Sequence, residues 1–289
     1  MDNPLPVLLS KERSWRWPSK PTLMGIINLT ANSFSQDGFA EHINLAVAYA
    51  QKLLHEGADW IDMGAESTHP GAKPVEESIE KKRILTAVHA FRAQNKNAFL
   101  SIDTMKASVA REALLAGADL INDVSGMLAD TDMPQVLASQ KAAICIGHMP
   151  GTPQTMQAQL MEGNIVEELL GFFSRRIEVA MEAGIPRESI LIDPCIGFGK
   201  SFKQNWLLLQ NLPRFRVLNV RVAVGFSRKA FLGELAHAPR PSDRDQATAA
   251  IVAVLAAQSA ADLIRVHNIA LAKTALEAGT QLASQPLPA

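Results

Sequence analysis

The sequence EGADWID at residues 56–62 recurs as AGADLIND at residues 116–123 and as SAADLIRV at residues 259–266. In each copy a helical pattern ends at small residues, Ala-Asp turns the chain, and an apolar strand begins. Glycine at this point suits the left-handed backbone that commonly follows a helix. One helix-to-strand turn reused along a chain indicates rotational pseudo-symmetry, although small residues and aspartate are also general turn formers. The repeat therefore favours a closed barrel over an open, doubly wound sheet.

Eight short apolar runs, each followed by a helical pattern, extend this unit along the chain. The runs lack in/out alternation, which is typical of parallel strands that are covered on both faces. The predicted strands are residues 23–28, 60–64, 99–103, 120–123, 142–148, 190–193, 221–226 and 263–267, and the helical segments include 44–56, 76–94, 107–116 and 167–183. The sequence predicts the α/β class and a single (β/α)8 TIM barrel over residues 21–285, with residues 1–20 as a loose N-terminal arm over the barrel floor.

The bulk composition narrows the class of protein. The chain has 289 residues, of which 47% are hydrophobic, so it can bury one large core. Its net charge of -1 gives no sign of a nucleic acid or an anionic membrane as partner. Its 2 cysteines, Cys145 and Cys195, are too few for a disulfide framework and fit a reducing compartment. Because we find neither a signal-peptide pattern nor an apolar run of about 18 residues, we expect a cytoplasmic protein.

Polar residues stand at the end of every predicted strand. A parallel barrel brings these ends to one face, where barrel active sites lie. A single aspartate there is usually a helix cap, but polar groups at all the ends must find partners or a ligand as the barrel closes. The residues are Asn28 and Thr30, Glu66 to Thr68, Asp103, Asn122 and Asp123, His148, Asp193, Ser227 to Lys229, and Arg265, His267 and Asn268.

The acids and the amide in the middle of the chain fit one kind of ligand. Asp103, Asn122 and Asp193 end strands that should lie close together, and they supply acceptors and donors for a flat heterocycle rich in N–H groups. Two loops, residues 30–39 and 67–74, are candidates for a lid over such a ligand.

The cations late in the chain fit an anion. Barrel phosphate sites are frequently built after strands seven and eight, and guanidinium forks match phosphate oxygens. Arg228 and Lys229 are also compatible with a solvated charged pair, whereas Arg265 and His267 alternate along one strand and should both point inward. The GFGK at residues 197–200 lacks the spacing of a nucleotide P-loop, and no cluster of His and Cys indicates zinc.

Several segments, taken in order, resemble the dihydropteroate synthase family, a group of pterin-binding enzymes. The resemblance extends from about residue 22 to residue 275. The segments are MGIINLT at 24–30 with Ser33-Phe34-Ser35, IDMGAEST at 61–68 with Pro70-Gly71-Ala72, SIDTMKASVA at 101–110, INDVSG at 121–126, HMPGTPQTMQ at 148–157, LIDPCIGFGK at 191–200, GFSRKAFLG at 225–233 and IRVHN at 264–268.

The resemblance implies a reaction in which the amine of p-aminobenzoate displaces diphosphate from a hydroxymethyl-dihydropterin diphosphate. It implies a pterin site made by Asp103, Asn122, Met149, Asp193 and Lys229. It implies a diphosphate site made by Asn28, Thr68, His69, Arg265 and His267, with Asn28 also holding Mg²⁺. It implies a p-aminobenzoate site made by Phe34, Pro70, Phe198, Ser227 and Arg228. The catalytic residues would be Asp103, Lys229, Arg265 and His267, and the enzyme would be a homodimer.

The chain also departs from the family pattern. Ala31, Asn32 and Gln36 replace the usual Pro, Asp and Asp of the first loop, His69 replaces Arg, Cys195 replaces Gly and Asn268 replaces Asp. His69-Pro70 followed by residues 72–75 resembles the sulfonamide-insensitive branch of the family. Two alternatives remain: a homologue that binds pterin with impaired turnover, and a pterin-binding methyltransferase domain, which would need no diphosphate site.

Overall fold

The computed structural model describes residues 7–30, 38–39, 42–158, 160 and 163–284. Its first strands, β1 (Val7–Ser10) and β2 (Arg13–Arg16), pair antiparallel. The others are β3 (Thr22–Asn28), β4 (Trp60–Gly64), β5 (Phe99–Asp103), β6 (Leu120–Asp123), β7 (Ala143–Gly147), β8 (Ile190–Asp193), β9 (Arg221–Gly225) and β10 (Leu263–Val266). These strands form a closed parallel barrel in the order β10-β3-β4-β5-β6-β7-β8-β9. The predicted (β/α)8 TIM barrel is therefore confirmed.

Helices alternate with the barrel strands and cover them. They are α1 (Ile43–Glu56), α2 (Glu77–Gln94), α3 (Ala107–Leu115), α4 (Met133–Ser139), α5 (Ile165–Glu182), α6 (Phe202–Gln210), α7 (Ala230–Ala236), α8 (Asp245–Ala257) and α9 (Ile269–Ser284). The main core lies between the outward faces of the strands and the buried faces of these helices. Among the described residues, none of these helices is long and apolar enough to cross a membrane.

The repeated sequence forms a repeated hydrogen-bond pattern. In each copy the aspartate carboxylate accepts the backbone N–H of a residue near the start of the preceding barrel strand, at 2.8 Å. The N–H of the aspartate donates in turn to the carbonyl of that same residue. The pairs are Asp59 with Leu23, Asp119 with Leu100 and Asp262 with Val222. The aspartates therefore join neighbouring strands at the barrel floor. A residue that only formed a turn would not make these bonds between strands.

The hairpin of β1 and β2 closes the floor of the barrel, whereas the sequence predicted a loose arm there. Leu8 is fully buried in a cluster formed with Trp17, Trp60 and Phe99. The Trp60 and Phe99 rings stack with their centroids 4.3 Å apart. The backbone N–H of Lys11 donates to the carbonyl of residue 141, which precedes β7, at 2.7 Å. Aromatic burial and hydrogen bonds to the barrel thus hold this segment. Predicting it would have required recognising two short strands within residues 7–16.

Gly279 of α9 gives a stability prediction. Helices α8 and α9 pack so closely there that a Cβ on Gly279 would overlap the carbonyl oxygen of Ala253. We expect Gly279→Ala to lower the free energy of unfolding by about 1–3 kcal/mol through overpacking. Gly171→Ala in α5 is the matched control, because its new methyl meets only ordinary contacts and should stabilise by up to about 1 kcal/mol. Thermal denaturation measures both, and a stable Gly279→Ala would contradict the packing.

Candidate active site

A cavity of about 400 Å³ opens at the carboxyl ends of the barrel strands. At several strand ends, as at Ile26 and Asn28 or Arg265 and His267, the residues that line it alternate along the chain, as the two-residue period of a strand requires. The predicted site residues that line it are Asn28, Thr68, His69, Pro70, Asp103, Asn122, Asp193, Phe198, Ser227, Lys229, Arg265 and His267. The structure therefore brings together residues that are up to 239 positions apart in the sequence (267 − 28 = 239).

Two predicted residues do not line the cavity. Met149 is buried instead in a small apolar cluster with Val124, Met156 and Phe198, because its apolar side chain packs there against other apolar groups. Arg228 points to α8, where it forms an ion pair with Asp245. Phe34 lies outside the described residues, as do the departures at residues 31, 32 and 36.

Arg265 lies between two buried carboxylates. Its Nε donates to Asp62 Oδ2 at 2.6 Å, and its Nη2 donates to Asp103 Oδ2 at 2.9 Å. Burial raises the pKa of Asp103 to about 7, with Arg265 lowering it and Asp62 raising it further. Burial opposes the charge of Arg265, yet Asp62 and Asp103 together raise the pKa of its guanidinium. Arg265 therefore stays charged and compensates the acids at the bottom of the cavity.

Asp193 and Lys229 occupy the next part of the cavity wall. The N–H of Cys195 donates to Asp193 Oδ1 at 2.7 Å, and burial raises the pKa of Asp193 to about 6. Burial lowers the pKa of Lys229 to about 8. The Lys229 Nζ lies 3.7 Å from the centre of the Phe198 ring, a cation–π contact. These groups form a mixed wall of acid, cation and aromatic ring.

His267 and Ser227 are directly hydrogen-bonded. Ser227 Oγ lies 3.2 Å from the His267 backbone nitrogen, whose N–H it accepts, and 3.0 Å from His267 Nδ1. Burial lowers the pKa of His267 well below its ordinary value, and Arg228 and Arg265 lower it further. The imidazole is therefore neutral, so one ring nitrogen carries a proton and the other accepts. Such a ring can donate one hydrogen bond to an anion.

Hydrogen bonds hold the loop that follows β4 at its base and at its tip. At its base Lys106 Nζ binds Glu66 at 2.6 Å, the Val75 carbonyl at 3.0 Å, and Glu80 on α2. At its tip the N–H of Gly71 donates to the carbonyl of residue 153, at 2.9 Å. The prediction of residues 67–74 as a lid has no support from these contacts, because they tie the loop to two neighbours.

Sequence reasoning missed several polar groups of this site, among them Asp62 and Lys200. Asp62 lies two residues after the inward-facing Trp60, so the strand period would have placed it inside the barrel. Lys200 was read only as part of a glycine loop. Its Nζ lies 2.8 Å from the Phe198 carbonyl and 3.1 Å from His148 Nδ1, and burial lowers its pKa to about 8. Burial, and then the Lys200 charge, lower the pKa of His148 to about 3. The hydrogen bonds of Lys200 to His148 and to the Phe198 carbonyl hold the loop that carries Phe198.

Comparison with known proteins gives the family. The sequence profile described as pterin binding enzyme matches residues 24–267. The dihydropteroate synthase of Synechocystis sp. is 38% identical over 266 residues, which cover 92% of this chain and 90% of that protein. The synthase of Escherichia coli K12 is 38% identical over 251 residues, covering 87% and 88%. The chain belongs to the dihydropteroate synthase family.

Solved structures of dihydropteroate synthases share the fold. That of Yersinia pestis, determined with a sulfonamide drug complex, superposes with a TM-score of 0.91 at 33% identity, covering 96% of this chain and 100% of that one. That of Xanthomonas albilineans, determined with 4-aminobenzoic acid, gives a TM-score of 0.88 at 36% identity, covering 97% and 99%. As a member of the dihydropteroate synthase family, the chain is a transferase.

The family departure at Cys195 has a backbone explanation. Cys195 has a φ of 52°, in the left-handed region that glycine tolerates best. Its Sγ lies 2.9 Å from where a Cβ on Gly147 would be, and it accepts the N–H of His148 at 3.4 Å. The thiol therefore fills a space beside β7 that glycine would leave open, and the bend after Asp193 keeps the conformation that a glycine would adopt.

Proposed function

We propose that this dihydropteroate synthase joins p-aminobenzoate to 6-hydroxymethyl-7,8-dihydropterin diphosphate, giving 7,8-dihydropteroate and diphosphate for folate biosynthesis. The observation that carries this proposal is one cavity lined by two sets of groups: the acids and amide Asp103, Asn122 and Asp193, and the donors Arg265 and His267. The first set suits a heterocycle with several N–H groups and the second suits a multiply charged leaving group.

The pterin would lie deepest. Asp103, Asn122 and Asp193 would pair with its N–H groups and ring nitrogens, and Lys229 would donate to its carbonyl side. The Cys195 N–H orients the Asp193 carboxylate, and Arg265 orients Asp103. These fixed acceptors preorganise the site for positive charge that develops on the pterin as its C–O bond breaks. Asp103, Lys229, Arg265 and His267 are therefore the residues we assign to the chemistry.

The diphosphate would leave toward Arg265, His267, Thr68 and His69. In the reaction the C–O bond to diphosphate breaks and the arylamine nitrogen forms a bond to the same carbon. The leaving oxygens take the electron pair, and the amine loses one proton to solvent or to diphosphate. His267 would donate through its ring N–H, and Arg265 would stabilise the departing charge.

Mg²⁺ would bind on the diphosphate beside Asn28. Among the described residues, no group of three or more His, Cys, Asp or Glu side chains could hold a metal ion. Mg²⁺ commonly takes only one or two protein oxygens together with substrate phosphates and water, so a single amide oxygen suits it. The Asn28 amide, which lines the cavity at the end of β3, would supply the protein oxygen. When bound, the ion would neutralise charge on the leaving group.

The p-aminobenzoate would occupy the outer part of the cavity. Pro70 and Phe198 supply apolar contact there, and Ser227 supplies a hydroxyl. The ligand of the Xanthomonas structure, 4-aminobenzoic acid, supports this assignment. From His69-Pro70 and residues 72–75 we also propose that the enzyme is less sensitive to sulfonamides than its Escherichia coli relative.

The experiment that tests this function is p-aminobenzoate-dependent release of diphosphate by the purified enzyme with Mg²⁺ and the pterin diphosphate. We expect release that requires all three small molecules. Bound pterin with no release would favour the impaired homologue, and transfer of a methyl group from a methylated pterin would favour the methyltransferase domain. Inhibition by sulfamethoxazole at the concentration that inhibits the Escherichia coli enzyme would contradict the proposed insensitivity.

The pH dependence of kcat/KM should be bell-shaped, with a maximum between about pH 7 and pH 8. The acidic limb arises because the pKa of Asp103 is raised to about 7, so its carboxylate forms only as the pH rises through that value. The alkaline limb arises because the pKa of Lys229 is lowered to about 8, so its charge is lost above it. Initial rates from pH 5.5 to about 9.5 measure this profile. A flat profile would contradict the assignment of these residues.

The oligomeric state and the location are proposals that rest on the family resemblance and the composition. We propose a homodimer in the cytoplasm. Sedimentation equilibrium of the purified protein measures the first, and a monomer at micromolar concentration would contradict it.

A further inference from the structure

The turn that follows β9 sends neighbouring side chains in opposite directions. Ser227 and Lys229 both line the cavity, whereas Arg228 between them points outward to α8. Arg228 has a φ of 61°, a left-handed conformation that residues with a side chain seldom adopt. Such a backbone persists where surrounding contacts determine it, and it is common at functional sites.

The start of α8 supplies those contacts. The guanidinium of Arg228 makes a two-bond pair with Asp245, from Nε to Oδ1 at 2.7 Å and from Nη2 to Oδ2 at 2.9 Å. The Arg228 N–H donates to Thr248 Oγ1 at 3.3 Å, and its carbonyl accepts from Arg244 Nη1 at 2.9 Å. The Arg228 and Asp245 side chains are only 11% and 13% exposed. The backbone N–H, the Nε, the Nη2 and the carbonyl of Arg228 are thus bound to α8 and the residue before it.

The same carboxylate also reaches the turn after β10. Asn268 Nδ2 donates to Asp245 Oδ2 at 3.2 Å, and Asn268 directly follows His267. One side chain on α8 therefore joins the two turns that present Ser227, Lys229 and His267 to the cavity.

We propose that Arg228 is a positioning residue, which with Asp245 fixes Ser227 and Lys229, and that it does not bind the carboxylate of p-aminobenzoate. This inference rests on the proposed function and replaces the role that the family resemblance gave to Arg228. Turning Arg228 into the cavity would break both bonds to Asp245 and the left-handed turn. A substrate carboxylate would therefore have to compete with an ion pair that is already made and largely shielded from water.

The test compares p-aminobenzoate with p-aminobenzamide, a neutral analogue of the same shape. In Arg228→Met we expect kcat/KM to fall about tenfold to a hundredfold with either arylamine, because displaced Lys229 and Ser227 act on both reactions. The ratio of the two kcat/KM values should stay within about twofold of the wild-type ratio. A loss of kcat/KM with p-aminobenzoate while kcat/KM with p-aminobenzamide is unchanged would overturn the inference. It would show that Arg228 contacts the carboxylate directly.

A second arm approaches the pair from Asp245. Asp245→Asn keeps the arginine at position 228 but removes the charge that holds it. If Arg228 acts by positioning, we expect a loss of kcat/KM similar to that of Arg228→Met. The double variant should then be no worse than the more impaired single variant. Full activity of Asp245→Asn would overturn the inference. Arg228→Lys should recover part of the kcat that Arg228→Met loses, with an unchanged arylamine ratio. Recovery of the rate with p-aminobenzoate but not with p-aminobenzamide would overturn the inference.

Arg240→Met is the matched control. Arg240 forms the same kind of two-bond pair with Asp243 three residues away, but the Arg240 side chain is 74% exposed and does not line the cavity. We expect the activity of Arg240→Met to equal that of the wild type, because exposed ion pairs contribute little to the stability of the fold. Circular dichroism of each variant checks folding. Absence of turnover by the wild type would remove the proposed function and this inference with it, whereas a changed arylamine ratio in an active variant overturns the inference alone.

Discussion

Arg265→Met should lower kcat/KM about a thousandfold and lower the free energy of unfolding by about 3–5 kcal/mol. The guanidinium lies between Asp62, which is fully buried, and Asp103, which is 7% exposed. Removing it leaves two buried carboxylates without their cation, and it also removes the charge we assign to the departing diphosphate. Initial-rate kinetics and chemical denaturation measure the two effects.

A double variant separates the catalytic loss from the structural loss. Asp62→Asn together with Arg265→Met removes one of the stranded carboxylates, so most of the lost stability should return. The rate should not return, because the donor to the leaving group is still missing. Asp62→Asn alone is the matched control, since Arg265 keeps its bond to Asp103. Recovery of both rate and stability in the double variant would show that Arg265 acts only as a structural partner.

The second large effect is expected for Lys229→Met, which removes the charge and keeps most of the length of the side chain. We expect kcat/KM to fall about a hundredfold to a thousandfold. The Lys229 charge lowers the pKa of Asp193, so its removal should raise that pKa and add the protonation of Asp193 to the acidic limb that Asp103 sets. The alkaline limb should weaken at the same time, because the cation that loses its proton near pH 8 is gone.

Lys203→Met is the control for this variant, since Lys203 is an exposed cation on α6. It should leave both the rate and the pH profile unchanged. If Lys229→Met kept the wild-type alkaline limb, Lys200 would be the better candidate for that ionisation, because burial also lowers its pKa to about 8.

Much of the fold could be predicted because its determinants are local. The turn at Asp59, Asp119 and Asp262 depends on a few adjacent residues, and the bounds of β4 and β5 match the predicted strands residue for residue. Apolar runs that end in polar residues also identified many of the residues that line the cavity. Parallel topology alone brings such strand ends to one face.

What the sequence did not reveal depends on contacts between distant segments. The Lys200 pairing with His148 spans 52 residues, and the Lys106 bond to Glu66 spans 40. No local pattern encodes such pairs, because either lysine could equally lie in solvent. Arg228 was assigned to the p-aminobenzoate site by family resemblance, although alternation of side chains at the end of β9 would have set it apart from Ser227 and Lys229.

The central claim is that this barrel forms a bond between an arylamine nitrogen and the pterin methylene carbon, with diphosphate as leaving group. The most direct measurement is mass spectrometry of the product made from the pterin diphosphate, Mg²⁺ and p-aminobenzoate labelled with ¹⁵N in its amine. Our account predicts dihydropteroate that carries the label, in an amount equal to the diphosphate released. Diphosphate released with the hydroxymethylpterin alcohol and unreacted labelled arylamine would contradict it, because water would then be the acceptor.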